Sequence, residues 1–227
     1  MARRMKKGGE PEAGNVFWCT MSDMMLGLAV VFITLFVVAM TGFSNEEVSK
    51  KELKLTVTKK LVDAVNKKGL KVEIDQNNGD IKLTDVDLFE VNSWVLTPNG
   101  KKLLDELGPI YINTIFAEPE YVKALEHVMV EGHTDSQTFA GNYTRNEQFL
   151  KNMELSLKRA HAVADYVLRT NYDPKYADLV TKILIVDGKS YNEPVLVNGK
   201  EDYGKSRRVV LKMKTEEMNI AKALGFE

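Results

Sequence analysis

Asp23 lies at the start of an apolar stretch, which is an unusual place for a carboxylate. Residues 24–45 have no charged side chain, and Phe17 and Trp18 resemble an aromatic anchor at a membrane interface. If a helix starts near Val16, helical rise puts Asp23 about 10 Å along it. A carboxylate inside a membrane costs roughly 2.5–3.5 kcal/mol on insertion scales, so it usually faces protein or water and handles ions. The alternative is that Asp23 only caps the helix at its cytoplasmic end.

His133 and Asp135 could together suggest a hydrolase, but no nucleophile or second base accompanies them at a spacing typical of a catalytic site. Cys19 is the single cysteine, which excludes a disulfide framework and a multi-cysteine metal site. The 3 histidines are too few and too scattered to suggest a zinc cluster. The sequence therefore predicts no enzyme, no metal site and no cofactor.

Composition limits the class of protein. The 227 residues carry 31 basic and 32 acidic side chains, a net charge of -1, so nothing attracts the chain to polyanions in general and no nucleic-acid role is expected. With 44% apolar and 28% charged residues, the chain is neither wholly disordered nor a multi-span membrane protein. Its length fits one medium domain with an additional segment.

The additional segment is the apolar one. Residues 24–43 are long enough to cross a bilayer as a helix, because twenty helical residues cover roughly 30 Å. Basic residues precede this segment and Glu46 and Glu47 follow it, which predicts a cytoplasmic N-terminus. A cleaved signal peptide would have a shorter apolar core, and a lipoprotein would need its cysteine after the core, so both alternatives are disfavoured.

Small, hydroxylated or β-branched residues recur every seven positions along this segment, as at the a and d positions of a heptad. Small residues at one of these positions let membrane helices approach closely. We therefore expect a parallel homodimer of this helix, with Asp23 at or beside the seam. The predicted seam residues are Thr20, Gly27, Val30, Thr34, Val37 and Thr41.

The remainder alternates between strand and helix patterns. A helical period before Gly69 precedes alternating apolar residues around the turn signal Asn77-Asn78-Gly79, which predicts a hairpin. Two helices and three strands follow. This order predicts an α+β fold, a mixed sheet covered by helices. The predicted helices are 97–116 and 147–169, and the predicted strands are 127–132, 182–186 and 208–213.

Several short motifs occur in this domain in a fixed order. Over roughly residues 70–214 they resemble an OmpA-like peptidoglycan-binding domain. The upstream motifs are Phe89-x-x-Asn92-Ser93 and Leu96-Thr97-Pro98-x-Gly100, and the later ones are Gly132-His133-Thr134-Asp135, Asn152-x-x-Leu155-Ser156-x-x-Arg159-Ala160 and Ser206-Arg207-Arg208-Val209.

This resemblance implies a ligand, the diaminopimelate of peptidoglycan stem peptides. Asp135 would accept hydrogen bonds from its ammonium group and Arg159 would donate to its carboxylate. Asn92 would add a polar contact, and Thr134 and Arg207 would line the site. The alternative is a structural Asp135–Arg159 ion pair without a ligand. The stretch between Asp135 and Asn152 is longer than the family's usual spacing.

The segment Trp18-x-x-x-Ser22-Asp23-x-Met25-x-Gly27-Leu28, followed by such a domain, resembles the MotB-like stator subunit of ion-driven rotary motors. Ser22-Asp23 followed by Gly27-Leu28 is more similar to the B subunit of Zorya-type anti-phage systems than to flagellar versions. The resemblance implies a homodimer inside a pentameric, multi-span MotA-like A subunit. Asp23 would carry H⁺ or Na⁺ across the bacterial inner membrane, and the periplasmic C-terminal domain would hold the cell wall.

The sequence thus predicts a basic cytoplasmic tail, a single transmembrane helix, a connector, the OmpA-like domain and a C-terminal tail. Whether the connector also forms a plug that closes the pore stays open. The rival hypothesis is a passive tether between inner membrane and peptidoglycan that transports no ion. The predicted segments are 1–15, 16–43, 44–69, 70–214 and 215–227.

Overall fold

The structure is a computed structural model. It describes the backbone of residues 12–90 and 93–215, and the side chains within those ranges except at 12–16, 42–47 and 86–87. The predicted N-terminal and C-terminal tails therefore lie almost entirely outside the described residues. The chain divides into two compact units, Met1–Ser49 and Lys50–Glu227. Helix α1, Glu12–Lys68, contributes residues to both units.

The first unit contains the candidate membrane span. Within α1, the 25 residues Phe17–Thr41 have a mean hydropathy of 2.5, which is long and apolar enough to cross a bilayer. Every side chain from Phe17 to Thr41 is exposed, including Asp23. Such a surface suits lipid or other membrane helices as its surroundings.

The second unit begins with the last part of α1. Val57, Leu61 and Val65 recur every four residues and are buried in the hydrophobic core, because residues at this spacing share one face of a helix. The helix ends at Lys68, and Gly69 follows with a φ of +69°, a left-handed conformation that glycine adopts without a steric penalty. The stop predicted at Gly69 is confirmed.

A five-stranded mixed sheet forms the centre of this unit, in the order β1-β2-β7-β3-β4. Only β3 and β4 pair in parallel; the other neighbours are antiparallel. In register, Ile81 of β2 lies opposite Leu211 of β7, and Val130 of β3 lies between Leu211 and Val186 of β4. The strands are β1 Glu73–Ile74, β2 Ile81–Thr84, β3 Leu125–His133, β4 Leu184–Gly188 and β7 Arg208–Thr215.

Two long helices cover one face of the sheet. Thr97 caps α3, Pro98–Phe116, because its side-chain oxygen accepts a hydrogen bond from the Gly100 amide at 2.9 Å. A capping box of Thr144 and Glu147 starts α5, Arg145–Leu168. Both helices contribute buried side chains to one core together with the central strands. The predicted α+β class, a mixed sheet covered by helices, is confirmed.

The structure adds short elements that the sequence patterns did not predict. The predicted strand 182–186 begins later, at Leu184, because a helix continues through Ile183. The added elements have too few residues for a helical or alternating pattern to be recognised. They are α2 Asp85–Leu88, α4 Pro119–Ala124, the 3₁₀ turn Pro174–Tyr176, α6 Ala177–Ile183, the hairpin β5 Leu196–Val197 with β6 Lys200–Glu201, and α7 Tyr203–Ser206.

Helix α5 approaches the sheet very closely at two glycines. A Cβ atom on Gly132 of β3 would lie 1.9 Å from the Ser156 carbonyl oxygen of α5. A Cβ atom on Gly188 of β4 would lie 2.8 Å from the Leu157 amide nitrogen. Both obstacles are backbone atoms, which cannot move aside as a flexible side chain would. These contacts explain why a glycine opens the Gly-His-Thr-Asp motif.

We predict that Gly132→Ala lowers the free energy of unfolding by about 3 kcal/mol, because the added methyl group must push helix and strand apart. Gly204→Ala is the control, since its Cβ atom would meet only the Asp202 side chain at 3.4 Å, an ordinary contact. Urea unfolding of the full-length chain in detergent, followed by near-UV circular dichroism, measures both. A Gly132→Ala chain as stable as the wild type would contradict this packing.

Candidate functional site

A cleft of about 800 Å³ lies at the end of β3 and brings most of the predicted site residues together. Its volume exceeds that of a single amino-acid side chain, so it can hold part of a larger ligand. Asn92 lies outside the described residues. The predicted residues that line the cleft are Thr134, Asp135, Arg159 and Arg207, and further lining residues include Asp85, Phe89, Phe139, Tyr143, Lys151 and Asn152.

One face of α5 carries buried polar residues at helical spacing, and three of them hydrogen-bond three different loops. Ser156 accepts a hydrogen bond from the Ser190 amide at 3.1 Å. Arg159 donates from Nε to the Ser93 carbonyl at 3.0 Å. Gln148 both accepts from the Phe139 amide at 2.8 Å and donates to the Phe139 carbonyl at 3.0 Å. The helix thus fixes three loops around the cleft.

Gln148 is a residue that sequence reasoning missed. Its two hydrogen bonds fix the middle of the 136–144 loop, which is the first part of the long stretch between Asp135 and Asn152. Lys151 also contacts this loop through its ammonium group. Its Nζ atom lies 4.3 Å from the centre of the Tyr143 ring and 6.0 Å from the centre of the Phe139 ring. The sequence signal that could have identified Gln148 is its spacing of four residues from Asn152, which is itself four residues before Ser156. All three side chains are buried in the structure.

Four charged side chains alternate in sign along the floor of the cleft. Asp135 Oδ2 accepts a short hydrogen bond from Arg207 Nη1. Arg207 Nε lies 3.6 Å from Asp85 Oδ2, and Asp85 Oδ1 lies 3.0 Å from Arg159 Nη2. Asp135 and Arg159, the structural alternative, do not form an ion pair among the described residues, and three other pairs take its place. Asp85, the shared partner of both arginines, was not predicted.

Burial and these neighbours act on the same groups in opposite directions. Burial raises the pKa of Asp85, and the nearby guanidinium groups of Arg159 and Arg207 counteract it. Burial likewise lowers the pKa of Arg159, and the Asp85 carboxylate opposes that change. Because an arginine stays protonated in proteins, both guanidinium groups remain donors at neutral pH. The row as a whole has no net charge.

Accessibility differs along this row. The side chain of Arg207 is 30% exposed, whereas that of Arg159 is 4% exposed. Asp135 lies between them in accessibility, at 9%. A ligand carboxylate entering the cleft would therefore meet Arg207 before Arg159, with the Asp135 carboxylate beside it. This combination of one acceptor and one planar donor suits a zwitterionic group.

Thr134 helps to fix the end of β3. Its amide donates to the Ser190 carbonyl at 2.9 Å, and its side chain is buried.

His133 precedes Thr134 in the chain. Its side chain is 1% exposed and lies on the opposite side of the strand from Gly132. Burial lowers the pKa of His133, while its neighbour Glu131 opposes the change. Glu131, His133 and Glu193 form a group whose ligand atoms could hold a metal ion.

The residues predicted for the membrane segment all lie on α1. Asp23 falls inside the span Phe17–Thr41. The hydroxyl groups of Thr34 and Thr41 donate to carbonyls one turn earlier, at 2.9 and 3.0 Å, so the helix itself accommodates them. Among the residues that the structure describes, no atom outside the helix lies within 4 Å of a Cβ atom built on Gly27. The predicted seam residues Thr20, Gly27, Val30, Thr34, Val37 and Thr41 are all exposed.

Residues 88–208 match the OmpA family, and this range contains most of the cleft. The chain belongs to the OmpA family. Two relatives match nearly the whole chain, and both are the Zorya protein ZorB. The one from Escherichia coli strain ATCC 8739 is 29% identical over 222 residues, which is 92% of this chain and 93% of that one. The one from Escherichia coli O139:H28 is 25% identical over 225 residues, 92% and 84% of the two chains.

A solved structure shares the fold of the OmpA-family domain. A MotB-like protein from Desulfovibrio vulgaris superposes with a TM-score of 0.53 at 18% identity, over 75% of this chain and 96% of that one. The resemblance stated from the sequence, to a MotB-like B subunit of the Zorya type, is confirmed by these relatives. The matches to ZorB include the candidate membrane span as well as the OmpA-family domain.

We predict that Asp85→Ala lowers the free energy of unfolding of this domain by about 3 kcal/mol, because it leaves the buried Arg159 without its carboxylate partner. Asp105→Ala is the control. Its carboxylate is exposed and accepts one hydrogen bond from the Tyr166 hydroxyl at 3.0 Å, so the change should stay within about 0.5 kcal/mol. Urea unfolding of the full-length chain compares the two. Equal effects would contradict the central place of Asp85.

Proposed function

We propose that this chain is the peptidoglycan-anchored B subunit of a MotA/MotB-like, ion-driven rotary motor. The observation that carries the proposal is the combination, in one chain similar to ZorB over 92% of its length, of Asp23 inside a candidate membrane span and the charged cleft of an OmpA-family domain. One part would conduct the ion and the other would keep the complex from turning. The role consists of transport and binding, with no enzymatic step.

The anchor is the cleft at the end of β3. The zwitterionic end of diaminopimelate would place its ammonium group against Asp135 and its carboxylate against Arg207 and Arg159. Thr134 and, outside the described residues, Asn92 would add polar contacts to the same stem peptide. The remaining volume of the cleft, walled by the 136–144 loop, would accept the neighbouring part of the peptide. Binding here would exchange the internal Asp135–Arg207 pair for two pairs with the ligand.

The transporting part is the membrane helix. Two copies would associate through the seam of Thr20, Gly27, Val30, Thr34, Val37 and Thr41, inside a pentameric multi-span A subunit. Asp23 would bind and release H⁺ or Na⁺ in turn, driven by a membrane potential worth about 2.3 kcal/mol per charge per 100 mV. The N-terminus would lie in the cytoplasm and the OmpA-family domain in the periplasm. No bound cofactor is part of the proposal.

The cellular process we favour is anti-phage defence rather than flagellar motility. Both relatives that match nearly the full chain carry the Zorya name, and the match includes the segment around Ser22-Asp23. The rival hypothesis is a passive tether between inner membrane and cell wall. It predicts the same OmpA-family domain but assigns no function to Asp23.

We predict that Asp135→Asn and Arg159→Lys each weaken binding of the full-length chain to purified peptidoglycan sacculi by at least about tenfold. Each removes a charge-assisted or bidentate hydrogen bond to the ligand and keeps the side-chain size similar. Co-sedimentation in detergent measures the effect. Arg169→Lys, at an exposed Arg169–Asp165 pair, is the control and should bind normally. Unchanged binding of both cleft variants would sink the anchoring role.

We predict that Asp23→Asn abolishes phage protection in cells that express the chain with its A subunit, because the amide cannot cycle between charged and neutral forms. Efficiency of plating measures protection, and co-purification with the A subunit checks that assembly is intact. Asp23→Glu keeps a carboxylate and should retain part of the activity. A passive tether would instead keep full protection in Asp23→Asn.

A further inference from the structure

The sheet face that points away from α5 carries a second group of side chains with potential metal-ligand atoms. Glu131 and His133 are two residues apart on β3, so both point to this face, while Val130 and Gly132 point toward the helices. Glu193, from the loop between β4 and β5, joins them. One potential ligand atom of each residue lies within 4.8 Å of the others. The group is separate from the cleft that contains Asp135.

His133 is the unusual member. Its side chain is 1% exposed, and within the described part of the chain neither Nδ1 nor Nε2 has a hydrogen-bond partner. Its nearest carboxylate oxygen, Glu131 Oε2, is 3.6 Å from Nε2, which is too long for a hydrogen bond. Buried imidazole nitrogens normally have a partner, because an unsatisfied one loses its hydration without compensation. A buried imidazole beside two carboxylates that it does not hydrogen-bond is placed to share a cation with them.

We propose that Glu131, His133 and Glu193 bind a divalent transition-metal ion, with Zn²⁺ as the best match. An imidazole nitrogen with carboxylate oxygens suits zinc, whereas calcium and magnesium prefer oxygen ligands alone. Three protein ligands leave a fourth tetrahedral position for water, on the side of the exposed Glu193. The 3.6 Å separation of His133 Nε2 and Glu131 Oε2 is close to that of two ligand atoms on one zinc ion.

Two lysines compete for the same carboxylate. Lys212 Nζ lies 2.5 Å from Glu131 Oε2, and Lys189 Nζ lies 3.8 Å from Glu131 Oε1. Lys189 has another partner in Asp187, at 2.7 Å. The Lys212 side chain is long and partly exposed, so it can turn toward solvent when an ion takes its place. The metal must therefore displace the Lys212 ammonium group, which makes Lys212 a competitor rather than a ligand.

An ion at this position would join two parts of the chain that already touch. The loop that carries Glu193 begins with hydrogen bonds to β3, from the Lys189 amide to the Gly132 carbonyl at 2.8 Å and from the Thr134 amide to the Ser190 carbonyl at 2.9 Å. A metal bridge from His133 to Glu193 would close this loop onto the strand end that presents Asp135. The site is structural in character, and the proposal does not depend on the proposed motor function.

The experiment is a zinc titration of the full-length chain in detergent, purified without a histidine tag and stripped with chelator. Calorimetry should find one zinc ion bound per chain. Glu193→Gln should weaken zinc binding by at least about tenfold, since a lost ligand costs no less than a lost outer-shell partner. Lys212→Met should tighten zinc binding because it removes the competing ammonium group. Cobalt substitution should give the visible absorption of a tetrahedral nitrogen and oxygen site.

The controls separate this site from surface histidines and from unfolding. His127→Ala removes the imidazole beside Glu126, and Glu154→Gln changes an exposed glutamate; both should keep wild-type zinc affinity. Circular dichroism checks that every variant is folded. The proposal is overturned if the wild-type chain binds no zinc or if Glu193→Gln binds zinc as tightly as the wild type. It is also overturned if Lys212→Met binds zinc no more tightly than the wild type.

Discussion

The backbone of α5 passes so close to β3 and β4 that neither Gly132 nor Gly188 has room for a side chain. This contact fixes the rotation and the axial position of the helix against the sheet. Gln148, Ser156 and Arg159 consequently point at the loops around the cleft, where each hydrogen-bonds a different loop. The geometry of the cleft is therefore set by helix–sheet packing, although most of its wall is loop.

The sequence predicted those parts of the molecule whose signal is local. The alternating pattern around Asn78, the helix pattern from residue 97 and the charge-free apolar segment each identify an element from neighbouring residues alone. The motif blocks identify Asp135, Arg159 and Arg207. It missed Asp85 because that residue opens a four-residue helix outside every motif. Charge pairing depends on distances between separate elements, which no single segment encodes.

The alternation of sign along the cleft explains how the domain tolerates two buried and two partly buried charges. A buried ion without a partner is strongly destabilising, yet each member of the row Asp135, Arg207, Asp85 and Arg159 lies beside an opposite charge. The first unit differs from this row, since its exposed apolar span has a single carboxylate, Asp23. The near-zero net charge of the chain is thus the sum of two unlike arrangements.

The ion pair between Asp135 and Arg207 also competes with any ligand that would bind to these two side chains. A zwitterionic ligand has to break the ion pair between Asp135 and Arg207 before it can replace either partner. The loss of this ion pair therefore reduces the favourable free energy of binding. If the cleft binds such a ligand as proposed, this exchange would limit the affinity of a single cleft and make attachment at one cleft reversible. Firm attachment to a polymer would then come from several clefts acting at once, where release of one leaves the others bound and rebinding is fast.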